Sequence, residues 1–211
     1  MPVARTRIAP TPSGFLHVGN VSAFLHTAQL AEEQGWRLRL RIDDLDRSRF
    51  RQAYLEDIFA ILATLGIHWE EGPRDATDFL AHYRQELRLP LYQSYLQQLR
   101  DDGWVYACSC SRSQLAGCEQ YPGTCRHKQL SLDDPNLPWR LRLPEDAAVQ
   151  LLDLQGNPQP IRLAGLVGDP VVLRKAENGI RWPAYQLASV ADDVLYETTH
   201  IVRGKDLYDS T

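Results

Sequence analysis

No apolar run in this chain approaches the roughly 18 to 20 residues that a membrane-crossing helix needs. The start, Met1-Pro2-Val3-Ala4-Arg5-Thr6-Arg7, lacks the apolar stretch of a secretory signal, so the expected compartment is the cytoplasm, with no membrane partner. Repeats and low-complexity tracts are missing as well, which excludes a solenoid or a disordered tail. Lysine is scarce: of 23 basic residues only Lys128, Lys175 and Lys205 are not Arg. An arginine-dominated set suits fork-like recognition of carboxylates and phosphates, although a GC-rich genome gives the same bias. The net charge of -4 provides no global attraction to nucleic acid, so any RNA contact has to come from local basic patches. Cysteine is limited to four residues, and Cys108, Cys110, Cys118 and Cys125 all fall in one short window. A disulfide framework staples distant parts of a chain; clustering of this kind points to a metal. What remains, 211 residues with 44% hydrophobic side chains, is enough for one domain or a domain with a small insertion.

The first half reads as a strand-helix-strand unit. Val3 to Ala9 is short and partly β-branched, and Pro10 and Pro12 stop it in a loop ending at Gly14. Val21, Phe24, Leu25, Ala28 and Ala31 recur on one helical face, predicting a helix from about Val18 to Gln34 with Gly35 as its cap. Trp36 to Ile42 alternates apolar and polar over seven residues, the pattern of a strand with one covered face. Asp43-Asp44-Leu45-Asp46 follows at its carboxyl end. Tyr54, Ile58, Ile61, Leu62 and Leu65 predict a second helix closed by Gly66, and Leu91 to Leu99 a third. Two strands joined by a helix imply a parallel sheet whose ligand crevice lies beyond the strand ends. From Trp104 prolines break the chain into short extended pieces. Strands return at Val171 to Arg174 and at Thr199 to Val202, with a turn at Asn178-Gly179 and a helix from Pro183 to about Val194.

The stretch Arg7-Ile8-Ala9-Pro10-Thr11-Pro12-Ser13-Gly14-Phe15-Leu16-His17-Val18-Gly19-Asn20 carries the most chemistry. Gly14 and Gly19 allow backbone to approach a bound group, and His17 enters where a helix begins and its positive dipole end favours phosphate. Taken alone, His-x-Gly also reads as a plain loop-to-helix cap.

The whole stretch resembles the first signature of class I aminoacyl-tRNA synthetases, and more narrowly the glutamyl branch, with Thr11 in place of a Ser. Four further segments resemble that branch in order: Arg41 to Arg47, Tyr83-Arg84-Gln85, Tyr185 to Asp193 and Ile201 to Leu207. The fold the resemblance implies is α/β, a Rossmann-type parallel sheet with a small inserted zinc-binding α+β subdomain. The corresponding divisions are 1–103, 104–165 and 166–211. Within the branch, Cys108-Ser109-Cys110, Tyr121 and Cys125 resemble the zinc element of the glutamyl-Q tRNA(Asp) synthetase subfamily, which transfers glutamate to the queuosine base of tRNA(Asp).

The implied reaction is ATP-dependent activation of L-glutamate, with Mg2+ accompanying ATP, followed by transfer to the tRNA(Asp) anticodon stem-loop. His17, Gly19 and Asn20 are the implied catalytic residues, and with Ser13 they form the ATP site. Arg7, Ile8, Ala9, Pro10, Thr11, Asp43, Tyr185 and Arg203 are the implied glutamate site, Arg7 and Arg203 for carboxylate, Asp43 for the ammonium and Tyr185 for orientation. The family carries Glu where this chain has Asp43. The missing methylene retracts the carboxylate by about 1.5 Å and leaves aspartate or a related acid open as substrate. The implied structural zinc set is Cys108, Cys110, Tyr121 and Cys125; by thiolate chemistry alone all four Cys would serve. The second class I signature, Lys-Met-Ser-Lys-Ser or a near variant, does not occur in these residues. A non-catalytic short form and the N-terminal piece of a glutamyl-tRNA synthetase are therefore the alternative readings.

Overall fold

The computed structural model describes residues 3–118, 120–153, 157–163 and 168–203. These divide into two compact units, one formed by residues up to 91 together with 189–203, the other by 92–188. The Gly204 to Leu207 part of the last motif lies outside the described residues.

In the first unit β1 (Arg5–Ile8) is followed by α1 (Val18–Gln34) and by β2 (Arg37–Leu40), which pairs parallel to β1 with Ile8 opposite Leu40. The helix has the predicted limits, and Gly35 closes it in the left-handed conformation with its N–H on the Ala31 and Glu32 carbonyls. Its covered face is Phe24, Thr27, Leu30 and Ala31; Leu25, expected inside, is 41% exposed. Positions 24, 27 and 31 share one side of a 3.6-residue helix, and Thr27 tolerates burial because its hydroxyl donates to the Ala23 carbonyl at 2.7 Å.

Along β2 and just beyond it Leu38, Leu40 and Ile42 face the core, where they meet Leu55, Ile58 and Leu62 of α2 (Gln52–Thr64) and Phe79. Each such side chain contributes about 1.5–3 kcal/mol when fully buried. The parallel pairing continues past the strand ends, with the Arg41 N–H on the Ile8 carbonyl at 3.0 Å and the Asp43 N–H on the Pro10 carbonyl at 2.9 Å. The proline loop and the acidic cluster are thereby fixed side by side beyond the carboxyl ends. After a short α3 (Ala76–Asp78), a π-helical turn (Phe79–Tyr83) and a 3-10 turn (Gln85–Arg88), α4 (Leu89–Asp101) carries the chain out of this unit.

The predicted strand at Thr199 to Val202 is not formed. The N–H groups of Thr199 and His200 both reach one carbonyl, that of Arg5, at 3.0 and 2.9 Å. A single acceptor taking two consecutive donors cannot start a ladder, whose partners must alternate. His200 instead stacks on Trp36 with ring centroids 4.0 Å apart.

In the second unit β3 (Val105–Ala107) pairs antiparallel with β4 (Trp139–Leu141), and β5 (Ala148–Leu152) forms a hairpin with β6 (Pro158–Arg162). Pro158 stands opposite Leu152 and Pro160 opposite Gln150, and bonds from Asp153 to Asn157 and from Leu163 to Ala147 flank the hairpin. The strand expected at Val171 to Arg174 is formed as β7 (Val171–Leu173); it joins β4 antiparallel, with a register shift between Trp139 and Arg140. The Asn178-Gly179 turn is formed as expected: both residues have positive φ, and Glu177 and Ile180 exchange hydrogen bonds at 2.9 and 3.1 Å. α5 (Tyr185–Leu195) then returns the chain to the first unit.

One buried carboxylate ties this unit together. Asp169 accepts the Tyr106 hydroxyl at 2.6 Å, Arg126 through Nε at 2.9 Å and Nη2 at 2.6 Å, and the Leu143 N–H at 3.0 Å. Burial alone would raise its pKa, but the bonds from Arg126, Tyr106 and Leu143 hold it below the ordinary carboxylate range. Because the folded value lies below the unfolded one of about 3.9, its stabilisation is complete above that range and fades as pH falls through the folded value. We expect Asp169→Asn to cost about 3–5 kcal/mol at neutral pH, since it strands Arg126, and to flatten the acid limb of the thermal stability profile. Equal slopes for the two proteins below about pH 4 would refute this account.

Candidate active site and thiol cluster

His17 is the N-cap of α1. Its Nδ1 accepts the Gly19 N–H at 3.1 Å, while the Asn20 Oδ1 accepts the His17 N–H at 3.3 Å, a reciprocal cap. A neutral imidazole accepting at Nδ1 carries its proton on Nε2. The exposed ring therefore offers an N–H donor at the positive end of a helix with no acidic residue in its first turn. Gly19 makes room for this: a Cβ there would lie 3.0 Å from His17 Cε1. At Gly14 a side chain would meet nothing within 4 Å. Ser13 is half-buried in the same loop, its N–H on the Thr11 carbonyl at 2.9 Å. The arrangement suits an anionic group of phosphate type.

At and beyond the carboxyl ends of the strands the first unit gathers four guanidiniums and four carboxylates. Arg7, 3% exposed, bonds Asp193 through Nε at 3.1 Å. Arg41, also 3% exposed, grips both oxygens of Asp43 at 2.7 and 3.0 Å and reaches Asp193 through Nη1 at 2.8 Å and the Ser189 carbonyl at 3.1 Å. Arg88 bonds both oxygens of the fully buried Asp192 at 2.7 and 2.9 Å, and Gln85 reaches the same carboxylate at 3.0 Å. Arg84 and the Gln85 N–H hold Asp44 at 3.2 and 2.8 Å. Burial pushes Asp43 up from the ordinary carboxylate range, opposed chiefly by Arg41, and pushes Asp44 up against Gln85 and Arg84.

Arg7 differs from the rest. Its Nη2 is buried without a hydrogen-bond partner among the described residues. Burial lowers the Arg7 pKa first, Asp193 works against that, and the charges of Arg41 and Arg203 lower it further. An unpaired nitrogen on a buried guanidinium costs free energy until an acceptor takes it.

Of the other expected residues, Ile8 and Pro10 are buried with their carbonyls bonded to the N–H groups of Arg41 and Asp43, Ala9 is half-buried and Thr11 exposed. Arg203 is half-buried in the first unit; Tyr185 opens α5 in the second. Asp43 lies just beyond the carboxyl end of β2, and both its oxygens are engaged by Arg41. Sequence reasoning passed over Arg41, Arg84, Gln85, Arg88, Asp192 and Asp193 as site residues. All but Arg88 stood within quoted motifs; the alternation of β2 put Arg41 on the face expected to be wet.

In the second unit the thiols of Cys108, Cys110 and Cys125 lie within 4.8 Å of one another, and the Tyr121 hydroxyl is 3.4 Å from Cys108 Sγ and 3.8 Å from Cys110 Sγ. All four cysteines are free, and the exposed Cys118 is not part of the group. A tetrahedral ion with bonds of about 2.3 Å to sulfur sets its ligands about 3.8 Å apart. The observed 3.5 Å between Cys110 and Cys125 and the sulfur-to-oxygen distances fit that scale. Burial works against ionising the Cys125 thiol, but bonds from Ser109, Tyr121 and Cys110 bring it down to about 6.

A family profile described as tRNA synthetases class I (E and Q), catalytic domain, matches residues 3–211. The chain is 40% identical over 222 residues to a glutamyl-Q tRNA(Asp) synthetase of Symbiobacterium thermophilum, covering 97% of this chain and 67% of that one. It is 39% identical over 206 residues to a glutamyl-Q tRNA(Asp) synthetase of Parasynechococcus marenigrum, covering 96% and 60%, respectively. To a glutamate–tRNA ligase of S. thermophilum it is 37% identical over 219 residues, covering 95% and 44%. The crystal structure of a glutamate tRNA ligase from Elizabethkingia meningosepticum, in complex with its amino acid, aligns with a TM-score of 0.74 at 24% identity, over 98% of this chain and 45% of the other; it supports the fold. The chain thus spans between 44% and 67% of the length of these curated relatives.

The cap geometry has a direct test. Gly19→Ala places a methyl group against the imidazole, so the His17 ring must turn away, while helix propensity rises by about 1 kcal/mol. We expect an unchanged or higher melting temperature together with shifted ring-proton NMR resonances of His17. Unshifted resonances would contradict the close approach.

Proposed function

The chain belongs to the class I tRNA synthetases of the E and Q type and has their catalytic fold, and on that premise we propose that it activates glutamate with ATP and transfers it to the queuosine base of tRNA(Asp). The observation that carries the proposal is Arg7: a buried guanidinium, anchored on one side by Asp193, with Nη2 uncommitted. With Arg203 it takes a substrate carboxylate. Asp43 receives the ammonium through lone pairs that Arg41 leaves over, since an ionised carboxylate accepts about four hydrogen bonds. Tyr185 is kept in the glutamate site, and Ser13 and Asn20 in the ATP site, on their motif positions.

In the proposed reaction an oxygen of the glutamate α-carboxylate attacks the α-phosphorus of ATP, and the bond from that phosphorus to the bridging oxygen of pyrophosphate breaks. Glutamyl-adenylate and pyrophosphate result, without a covalent enzyme intermediate. His17 donates from Nε2 to phosphate oxygens, where charge accumulates in the transition state, and the exposed start of α1 adds its dipole. Mg2+ would accompany the nucleotide as its counter-ion. Zinc, held by Cys108, Cys110, Tyr121 and Cys125, would be structural. The preference for queuosine over a tRNA 3′ end follows the two glutamyl-Q relatives at 40% and 39% identity, one of which the chain covers to 67%.

The test is glutamate-dependent exchange of labelled pyrophosphate into ATP, followed by transfer of labelled glutamate to tRNA(Asp) with and without queuosine. His17→Asn retains a good cap but removes the Nε2 donor, so we expect it to melt within about 1 kcal/mol of the parent and to lose about 10²-fold in exchange rate. Asp193→Asn, which loosens Arg7, should raise the KM for glutamate about tenfold more than that for ATP, an increment of 1.4 kcal/mol. Exchange supported equally by aspartate, or glutamate transfer to tRNA lacking queuosine, would overturn the assignment.

A further inference from the structure

We infer that Arg140 and Gly168 are positioning residues that hold the Tyr121 oxygen as the fourth donor of the thiol cluster; this rests on the metal reading above. Three of the donors need little help. Cys108 directly follows β3 with Cys110 two residues on, and a thiol on a short side chain is placed once one torsion is set. A phenol oxygen stands at the far end of a ring, so a small swing removes it from bonding distance. Something has to fix the ring, and three contacts do so.

The Arg140 guanidinium sits over the Tyr121 ring, its carbon 3.6 Å from the centroid. Its Nη1 donates to the Asp169 carbonyl at 2.7 Å, while its Nε is buried with no hydrogen-bond partner among the described residues. Behind the ring, Gly168 packs on the Tyr121 backbone: a Cβ there would sit 3.1 Å from the Tyr121 carbonyl oxygen and 3.2 Å from its nitrogen, at a φ of +59° that already disfavours other residues. The Cys125 N–H donates to the hydroxyl at 2.9 Å, aiming the oxygen while leaving it a lone pair.

These contacts close a circuit. Cys125 is followed by Arg126, Arg126 grips the Asp169 carboxylate, the Asp169 carbonyl holds Arg140, and Arg140 holds Tyr121. The consequence is a choice of donor. Cys118 is a stronger ligand than a phenol and stands three residues from Tyr121, yet it is outside the group. The clamp selects three sulfurs and one oxygen over four sulfurs. Lysine in place of Arg140 would keep the charge but lose the plane that stacks.

The test uses the full chain in a Cys118→Ser background, so that no thiol can replace the phenol. Zinc affinity is measured by competition with a chromogenic chelator, and the ligand field by visible absorption of the Co2+-loaded protein. Arg140→Leu should weaken zinc about 10- to 100-fold and move the Co2+ spectrum toward that of Tyr121→Phe. Arg140→Lys and Gly168→Ala should shift both in the same direction, which serves if the Leu variant fails to fold by circular dichroism. In the Tyr121→Phe background Arg140→Leu should cost nothing further, a result that a general structural role would not give. Wild-type affinity and spectrum in the Arg140 variants, or a full additional loss in the Tyr121→Phe background, would overturn the inference. A Cys118→Ser protein that takes up neither ion would overturn the metal reading itself, and the clamp with it.

Discussion

A guanidinium leaves water only in company. In the first unit this constraint decides the architecture at and beyond the carboxyl ends of β1 and β2, where Arg7, Arg41, Arg84 and Arg88 meet Asp43, Asp44, Asp192 and Asp193. Replacing such a set by apolar side chains of similar volume is often neutral or stabilising, whereas removing one member costs several kcal/mol. The set is therefore poorly explained as a source of stability and well explained as a jig. Asp193 is shared by Arg7 and Arg41, so the position of the Arg7 guanidinium is linked through one carboxylate to the Arg41–Asp43 pair just beyond β2. Residues 189–203 join residues up to 91 in one unit for the same reason: their Asp pair supplies the charges that the early strands lack.

The same logic recurs at smaller scale in the second unit. Asp169 collects Tyr106, Arg126 and a backbone N–H, and its own carbonyl steadies Arg140. Each unit thus has a buried carboxylate at the junction of several elements, one beside the proposed substrate position and one beside the thiols. Neither position is set by hydrophobic packing alone, since a buried carboxylate tolerates only geometries that satisfy its oxygens. This makes both sites more exact than the short strands around them would suggest.

How much of this was legible in the sequence follows from how local each feature is. The limits of α1, the Gly35 cap and the Asn178-Gly179 turn depend on neighbours a few residues away, and were read correctly. The exchange of Leu25 for Thr27 on the buried face turned on a hydroxyl that bonds its own helix, which a hydropathy pattern does not register. Thr199 to Val202 looked like a strand by β-branching, but strand formation needs a partner with free alternate groups, and the start of β1 offers one carbonyl. β7 was found in place, but its antiparallel pairing with β4 was not legible, because pairing is a long-range property. The His17 and thiol residues were visible as motifs. The roles of Arg41, Asp192 and Asp193 were not, since nothing in a linear pattern says which Arg will lose its water.

The β5–β6 hairpin shows what two residues can forbid. Its flanking bonds at Asn157 and Leu163 turn the odd-numbered positions of β6 inward to the ladder, so Pro158 and Pro160 face outward, where a neighbouring strand would look for N–H donors and find ring carbons. That outer rail cannot be extended by another chain. A strand that meets the hairpin on this side finds no donor at Pro158 or Pro160, whereas the outer edge of β5 carries no proline.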